Sequence, residues 1–405
     1  IINEYDFTNL NALDITWELY EDGSLLEHGQ MPRLDVKPKE SKVVMVPYKI
    51  PQLKPGAEYW LILRFRLAEP TLWAEKGYEI GWEQFKLPFE VPPGPLVRTE
   101  GMSPLDLQET MSEVIIIGKN FEVIFNKNAG LISSFKSNGC ELIREGPRLN
   151  AWRAPTDNDV PRLAVEWRKA ELDRLIHEVK YVKSNRISEK HLVVEISSVL
   201  KTLENQERFE CLYAYNIYGS GDIIIEVKVN PLKDLPPHLP RIELQARIPG
   251  EYGIITWYGR GPHENYWDRK EGAAVGVYRS TVDEQYVPYI KPQENGNKTD
   301  VRWVSLTNSS GFGLLVVGMP LLEVNALYYT TEDLSNAKHT CDLKKRDFIT
   351  LNLDYKQSGL GGGSCGPDTL PIYLVKPEPV SFSIRLRPFH PNESAVEISK
   401  QRISD

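Results

Sequence analysis

Along the chain, apolar and polar positions change places at every second residue. Ile15, Trp17 and Leu19 alternate with Asp14, Thr16 and Glu18. Tyr59, Leu61, Leu63, Phe65 and Leu67 alternate with Trp60, Ile62, Arg64 and Arg66, and Val380, Phe382, Ile384 and Leu386 with Ser381, Ser383, Arg385 and Arg387. A period of two puts one set on each face of an extended chain, so these segments predict half-buried strands of antiparallel sheets. Turn signals separate them: Glu21-Asp22-Gly23, Lys54-Pro55-Gly56, Asn128-Ala129-Gly130 and Gly219-Ser220-Gly221-Asp222. Only Val165 to Val179, with Trp167, Leu172, Leu175 and Ile176 at helical spacing, predicts a helix. The expected fold class is all-β.

Punctuation sets the expected domains. Val91-Pro92-Pro93-Gly94-Pro95 opens a polar stretch without periodicity, so residues 91–112 read as a linker. Upstream, residues 1–90 hold about seven short strand candidates, the size of an immunoglobulin-like β-sandwich. Downstream, 113–390 read as one extended antiparallel sandwich with long loops, and 391–405 as a C-terminal tail. No internal repeat is evident.

Composition narrows the function classes. At 405 residues, 41% hydrophobic and 10% aromatic, the chain has ample material for two or three cores. A net charge of −8 argues against nucleic acid, which needs a basic face. No apolar run approaches the roughly 20 residues of a membrane-spanning helix. Cys140, Cys211, Cys341 and Cys365 lack the spacing of a zinc site or disulfide framework and read as free thiols. The opening residues Ile1-Ile2-Asn3-Glu4-Tyr5 carry neither Met nor a targeting pattern, so a piece of a longer protein is expected and the compartment is unknown.

Candidate chemistry concentrates in two strings, Trp152-Arg153-Ala154-Pro155-Thr156-Asp157-Asn158-Asp159 and Tyr258-Gly259-Arg260-Gly261-Pro262-His263-Glu264-Asn265-Tyr266-Trp267-Asp268. Carboxylates, amides, a guanidinium and aromatic rings in one short loop suit a sugar, which needs partners for its hydroxyls and flat rings for its C–H face. Asp157 and Asp159 could equally cap the following helix. His263 and Glu264 could be an acid–base pair, or a strand leaving into a structured loop. Gly259-Arg260-Gly261 is no phosphate loop, because no helix pattern follows it. Two further loops, Tyr286 to Gly296 with Asn295 and Gly359 to Pro367 with Cys365, read as surface loops or as backbone that a ligand approaches closely. Glycoside hydrolysis with retention needs two carboxylates roughly 5 Å apart, usually at the strand ends of a scaffold such as a (β/α)8 barrel, and no alternating strand–helix run here could form one.

These strings make the chain resemble the C-terminal third of the large β-galactosidases of glycoside hydrolase family 2. Ile2-Asn3-Glu4-Tyr5-Asp6-Phe7, Leu72-Trp73-Ala74-Glu75 and Gly81-Trp82-Glu83-Gln84-Phe85 look like the family's second immunoglobulin-like domain. Arg153 to Asp159, Gly259 to Tyr266 and Pro292-Gln293-Glu294-Asn295-Gly296 look like its last domain, a large β-supersandwich akin to galactose mutarotase. The resemblance implies a parent that hydrolyses terminal β-D-galactosides with retention, its two glutamates and its Mg2+ (with Na+ a second candidate) lying in a catalytic barrel outside this chain. No catalytic residue, metal site or cofactor is then expected here. Trp152, Arg153, Asp157, Asn158, Asp159, His263, Glu264, Asn295 and Cys365 are expected to rim or brace the sugar pocket. The expected partners are a β-galactoside, the parent's own barrel and other copies in a homo-oligomer; nucleic acid and membrane are not. Two positions depart from the family: Val160-Pro161 stand where the mobile loop normally opens with Gly, and Cys365 where some members carry Trp. A free-standing carbohydrate-binding or assembly module and a mutarotase-like epimerase using His263 and Glu264 are the alternatives.

Overall fold

The computed structural model describes residues 1–404, which divide into two compact units, one formed mainly by 1–96 and the other by 97–274 and 278–399. Strands dominate both, and they pair antiparallel.

In the first unit four strands lie in the order Ser24–Met31, Leu13–Glu21, Tyr59–Leu67, Glu79–Lys86. The alternation at 13–21 is met exactly in kind: Leu13, Ile15, Trp17 and Leu19 are buried and the residues between them are not. Trp17 faces Gly29 on one neighbour and Leu63 on the other. A Cβ at Gly29 would stand 2.7 Å from the Trp17 ring, so the ring packs only because that side chain is missing. Burial of such a ring contributes roughly 1.5–3 kcal/mol. The hairpin at Asp22-Gly23 has both residues at positive φ, 48° and 83°, the backbone of a tight primed turn. The opposite layer is extended chain, not a second regular sheet. It supplies Leu34 and Val36 to the core, with Val44, Val46 and Tyr48 packed against it. About seven strands were expected and four are regular, because proline and lysine-rich chain at 37–55 withholds the ladder.

The second unit packs a five-stranded sheet against a twelve-stranded one. The small sheet runs Cys140–Ile143, Leu131–Ser137, Phe121–Asn126, Glu113–Ile117, Asp106–Glu109. The long path of the large sheet begins with Glu145–Asn150, Arg241–Pro249, Phe348–Gln357 and Gly313–Leu327. It continues through Val380–Phe389, Ile223–Pro231, Glu207–Tyr218, His191–Lys201 and Ile176–Ser188. Apolar faces of the two sheets share one core, where the Phe125 ring meets that of Tyr215 edge-on at 5.0 Å.

Three sequence expectations need correction. The stretch 91–112 is not linker throughout, since Asp106–Glu109 pairs with Glu113–Ile117 and sets Leu107 opposite Ile116. Its polar composition is that of an exposed edge strand. The helix expected over 165–179 spans only Leu163–Lys169; Glu171 at φ 59° turns the chain out, a 3-10 turn follows, and a strand begins at Ile176. The tail is also structured, with a helix at Ala395–Lys400 and a strand at Arg402–Ser404.

Candidate functional site

The first polar string leaves the edge strand Glu145–Asn150 and folds back on itself. Asn150 accepts from Trp152 N at 3.1 Å and its Nδ2 donates to Trp152 O at 2.7 Å, a tight turn that sends the next residues inward. Arg153 is fully buried; its Nε and Nη2 donate to the two oxygens of Asp159 at 3.0 and 2.7 Å. Its Nη1 donates to Gln357 Oε1 at 3.1 Å and to Ser358 O, and its Nη2 also to Gly359 O at 3.3 Å. Asp159 accepts from Thr156 N at 2.8 Å. Trp152 is buried edge-to-face on Trp167, 6.2 Å between centroids. Trp152, Arg153 and Asp159 therefore hold the loop in shape and face protein, not solvent.

The residues between them reach outward. Asp157 is exposed, and its N donates to Gln293 Oε1 at 3.0 Å while Gln293 Nε2 donates back to its Oδ2 at 3.1 Å. Asn158 clasps the glycine-rich loop: its Nδ2 donates to Gly361 O at 2.8 Å and its Oδ1 accepts from Ser364 N at 3.0 Å. Next along the loop, Cys365 is exposed. Arg162 pairs with Asp368 beyond it.

The second string is tied to the same place. Glu264 is nearly covered, 10% of its side chain exposed; it accepts from Arg269 Nη2 at 2.7 Å, from the Tyr289 hydroxyl, and from Gly296 N at 2.8 Å. His263 is exposed, and among the described residues its ring makes no hydrogen bond. The neighbours in sequence thus part company, one to solvent and one into a brace. Asn295 is fully buried, accepting from Val287 N and donating to Gln293 O, each at 2.9 Å. Asp268 Oδ2 accepts from Gly361 N at 2.8 Å, and Glu294 N donates to Ala154 O at 3.0 Å. Segments 152–159, 263–268, 289–296 and 359–368 are thereby one hydrogen-bonded platform. Asp157, His263 and Cys365 are exposed members of it, and Asn158 is half-buried.

Beneath it lies a charged layer that the sequence reading missed. Glu243 faces Asp354 on the adjacent strand, and Asp354 faces Glu323 on the next. Arg241 sits among them, 2.8 Å from Glu243, 2.5 Å from Asp354 and 3.1 Å from Glu294. Burial pushes the carboxyls of Glu243, Asp354 and Glu294 up against the pull of Arg241, and pushes Glu323 up to about 8. The only sequence signal was a carboxylate inside apolar strands, as in Leu322-Glu323-Val324, which alternation assigns to solvent.

Residues 117–386 match the family model described as the β-galactosidase small chain, and residues 1–88 the one described as β-galactosidase domain 4. The chain belongs to the β-galactosidase family. A β-galactosidase of Priestia megaterium is 37% identical over 366 residues, covering 89% of this chain and 34% of that protein. One from Actinobacillus pleuropneumoniae is 29% identical over 384 residues, 93% of this chain and 36% of that protein. The chain thus spans about a third of the length of these curated β-galactosidase relatives. Among solved structures, a GalM/aldose epimerase homologue from C. elegans aligns with a TM-score of 0.34 at 10% identity, covering 72% of this chain and 100% of that one. So weak a likeness bears on neither ligand nor reaction.

Proposed function

We propose that this chain is the C-terminal, non-catalytic portion of a retaining β-galactosidase, and that its platform supports and rims the sugar pocket of the parent enzyme. The observation that carries this reading is the joining of four sequence-distant polar segments into one platform, on a chain whose relatives are named β-galactosidases. Asp157 and His263 are the exposed polar groups for the rim, Asn158 fixes the loop on which Cys365 stands, and Trp152, Arg153, Asp159, Glu264 and Asn295 brace the platform from within. Retention needs one carboxylic acid and one free carboxylate across a single bond. In the platform Asp159, Glu264 and Glu294 are each committed to a guanidinium, of Arg153, Arg269 and Arg241 respectively, while Asp157 and Asp268 accept from the Gln293 amide and from Gly361 N. The chain alone is therefore expected to be inactive. The acid, the nucleophile and Mg2+, with Na+ the second candidate, belong on this reading to the catalytic domain.

The test is direct. Purified chain is incubated with a nitrophenyl β-galactoside, and the parent reading frame is expressed and assayed alongside. No turnover by the chain and hydrolysis by the parent are expected; turnover by the chain alone overturns the reading. Calorimetry with galactose and lactose separates it from a free-standing carbohydrate-binding module, which would bind at millimolar concentration or tighter without the barrel.

A further inference from the structure

The first unit carries exposed aromatic and aliphatic groups that its own fold does not use. Tyr5 and Trp73 stand on the wall of a hollow of about 630 Å3 floored by Leu13, Leu67 and Ile80. The Trp73 ring meets Tyr78 edge-on at 5.4 Å. Among their neighbours along the chain, Phe7 is 97% exposed and Leu72 wholly exposed, and Trp73 itself is 66% exposed. Single exposed apolar residues need no explanation, but a contiguous patch around a hollow marks an interaction site.

Local structure presents this patch deliberately. Thr71 N donates to Ala74 O at 2.8 Å and Ala74 N to Thr71 Oγ1 at 3.1 Å, a closed turn with Leu72 and Trp73 at its tip. On the other wall, buried Asn3 accepts from Tyr5 N at 3.0 Å and donates to Thr8 O and Val36 O, each at 2.9 Å, fixing the segment that carries Tyr5 and Phe7. The one cation lining the hollow, Arg33, is matched by Asp14 at 3.0 Å and Glu69 at 3.6 Å, so no free positive charge stands there and the group carries one net negative charge beside the apolar area. Rigid aromatic groups of this kind are the anchors of stable interfaces.

We infer that this patch docks an apolar surface of the polypeptide preceding Ile1 in the parent, the part carrying the catalytic barrel; the inference rests on the functional reading above. The relatives are about three times as long as the matched stretch, and residues 1–88 match a model described as domain 4. On the functional reading above, most of the additional chain lies before residue 1. Ile1 is itself fixed, its N donating to Lys42 O at 3.0 Å and its O accepting from Lys42 N at 2.9 Å. Phe7 lies six residues on, at most roughly 20 Å of extended chain, so the preceding part is tethered beside the patch at an effective concentration near the millimolar range.

Hydroxyl-radical footprinting of the full-length parent against the 405-residue chain tests this. Oxidation of Trp73 and Phe7 is expected to fall at least tenfold in the parent, and equal reactivity in both overturns the inference. Protection that appears in the 405-residue chain alone as its concentration rises also overturns it, identifying a second copy as the occupant. A Phe7→Asp, Trp73→Asp variant should leave the chain's thermal midpoint within about 2 °C while restoring radical reactivity at Tyr5 in the parent; unchanged Tyr5 protection overturns the inference. The two readings fail separately. A parent that hydrolyses galactosides with Trp73 still reactive sinks the docking alone, and protection in a parent without hydrolysis sinks only the functional reading.

Discussion

Arg241 and Asp354 meet side-on across adjacent strands, Nε to Oδ1 at 2.8 Å and Nη2 to Oδ2 at 2.5 Å, with neither side chain exposed. The same guanidinium serves Glu243 and Glu294, so one cation sustains a layer of carboxylates that water cannot reach. Removing one member of such a group is far costlier than the group's net contribution, because it strands buried charge.

Arg241→Met is accordingly expected to destabilise the second unit by about 3–5 kcal/mol, with Glu243, Asp354 and Glu294 losing their shared partner. Urea denaturation followed by tryptophan fluorescence measures it. A loss under about 1 kcal/mol would mean the layer is wetter than its burial implies.

Glu323 gives a pH dependence of defined sign. Its carboxyl is pushed up to about 8 by burial, while Asn297 Nδ2 donates to it at 2.9 Å. Between about pH 4.5 and 8 the folded state keeps this proton and the unfolded state does not, so stability falls as pH rises through that window. Glu323→Gln should flatten the decline by up to about 1.4 kcal/mol per pH unit, read from urea midpoints at pH 5, 6, 7 and 8. A variant whose slope matches the wild type sinks the assignment.

The thiols separate cleanly. Cys140, Cys341 and Cys365 are exposed, whereas Cys211 is buried and its thiol is pushed up to about 12 by that burial. A disulfide reagent at pH 8 should titrate three thiols quickly in the folded chain and the fourth only on unfolding. A fourth fast equivalent would contradict the packing of Glu207–Tyr218.

Asn158 is a positioning residue for the loop that carries Cys365. Asn158→Ala removes two hydrogen bonds worth about 1 kcal/mol each, both at the loop and neither in the core. Limited proteolysis should cut between residues 359 and 367 several times faster, with the thermal midpoint almost unmoved. In the parent, KM for a galactoside should rise more than kcat falls; a pure kcat effect would point instead to a role in the chemical step.

How much of this was legible in the sequence depended on which side of a strand mattered. Alternation at 13–21, 59–67 and 380–389 located the strands Leu13–Glu21, Tyr59–Leu67 and Val380–Phe389, because one face of each meets a core. The same rule failed at Glu243, Glu323 and Asp354, where the polar face is also buried and a second layer of loops supplies its partners. Tryptophan and leucine spacing overextended the helix past Lys169, since the pattern does not register the left-handed turn at Glu171. In the polar strings, spacing and composition alone do not gather Asp157, Asn158, Glu264 and Asn295, because their partners are 8 to 206 residues away; only the family resemblance grouped them around one pocket.

Those separations carry a consequence for synthesis. Arg153 needs Gln357, Ser358 and Gly359 to complete its shell, up to 206 residues downstream, and Asn158 needs Ser364. At about 5–20 residues per second, a ribosome leaves that guanidinium waiting roughly 10–40 s for its neighbours. A message broken between the codons for residues 330 and 356 would deliver most of the strands and none of the partners that Asn158 clasps.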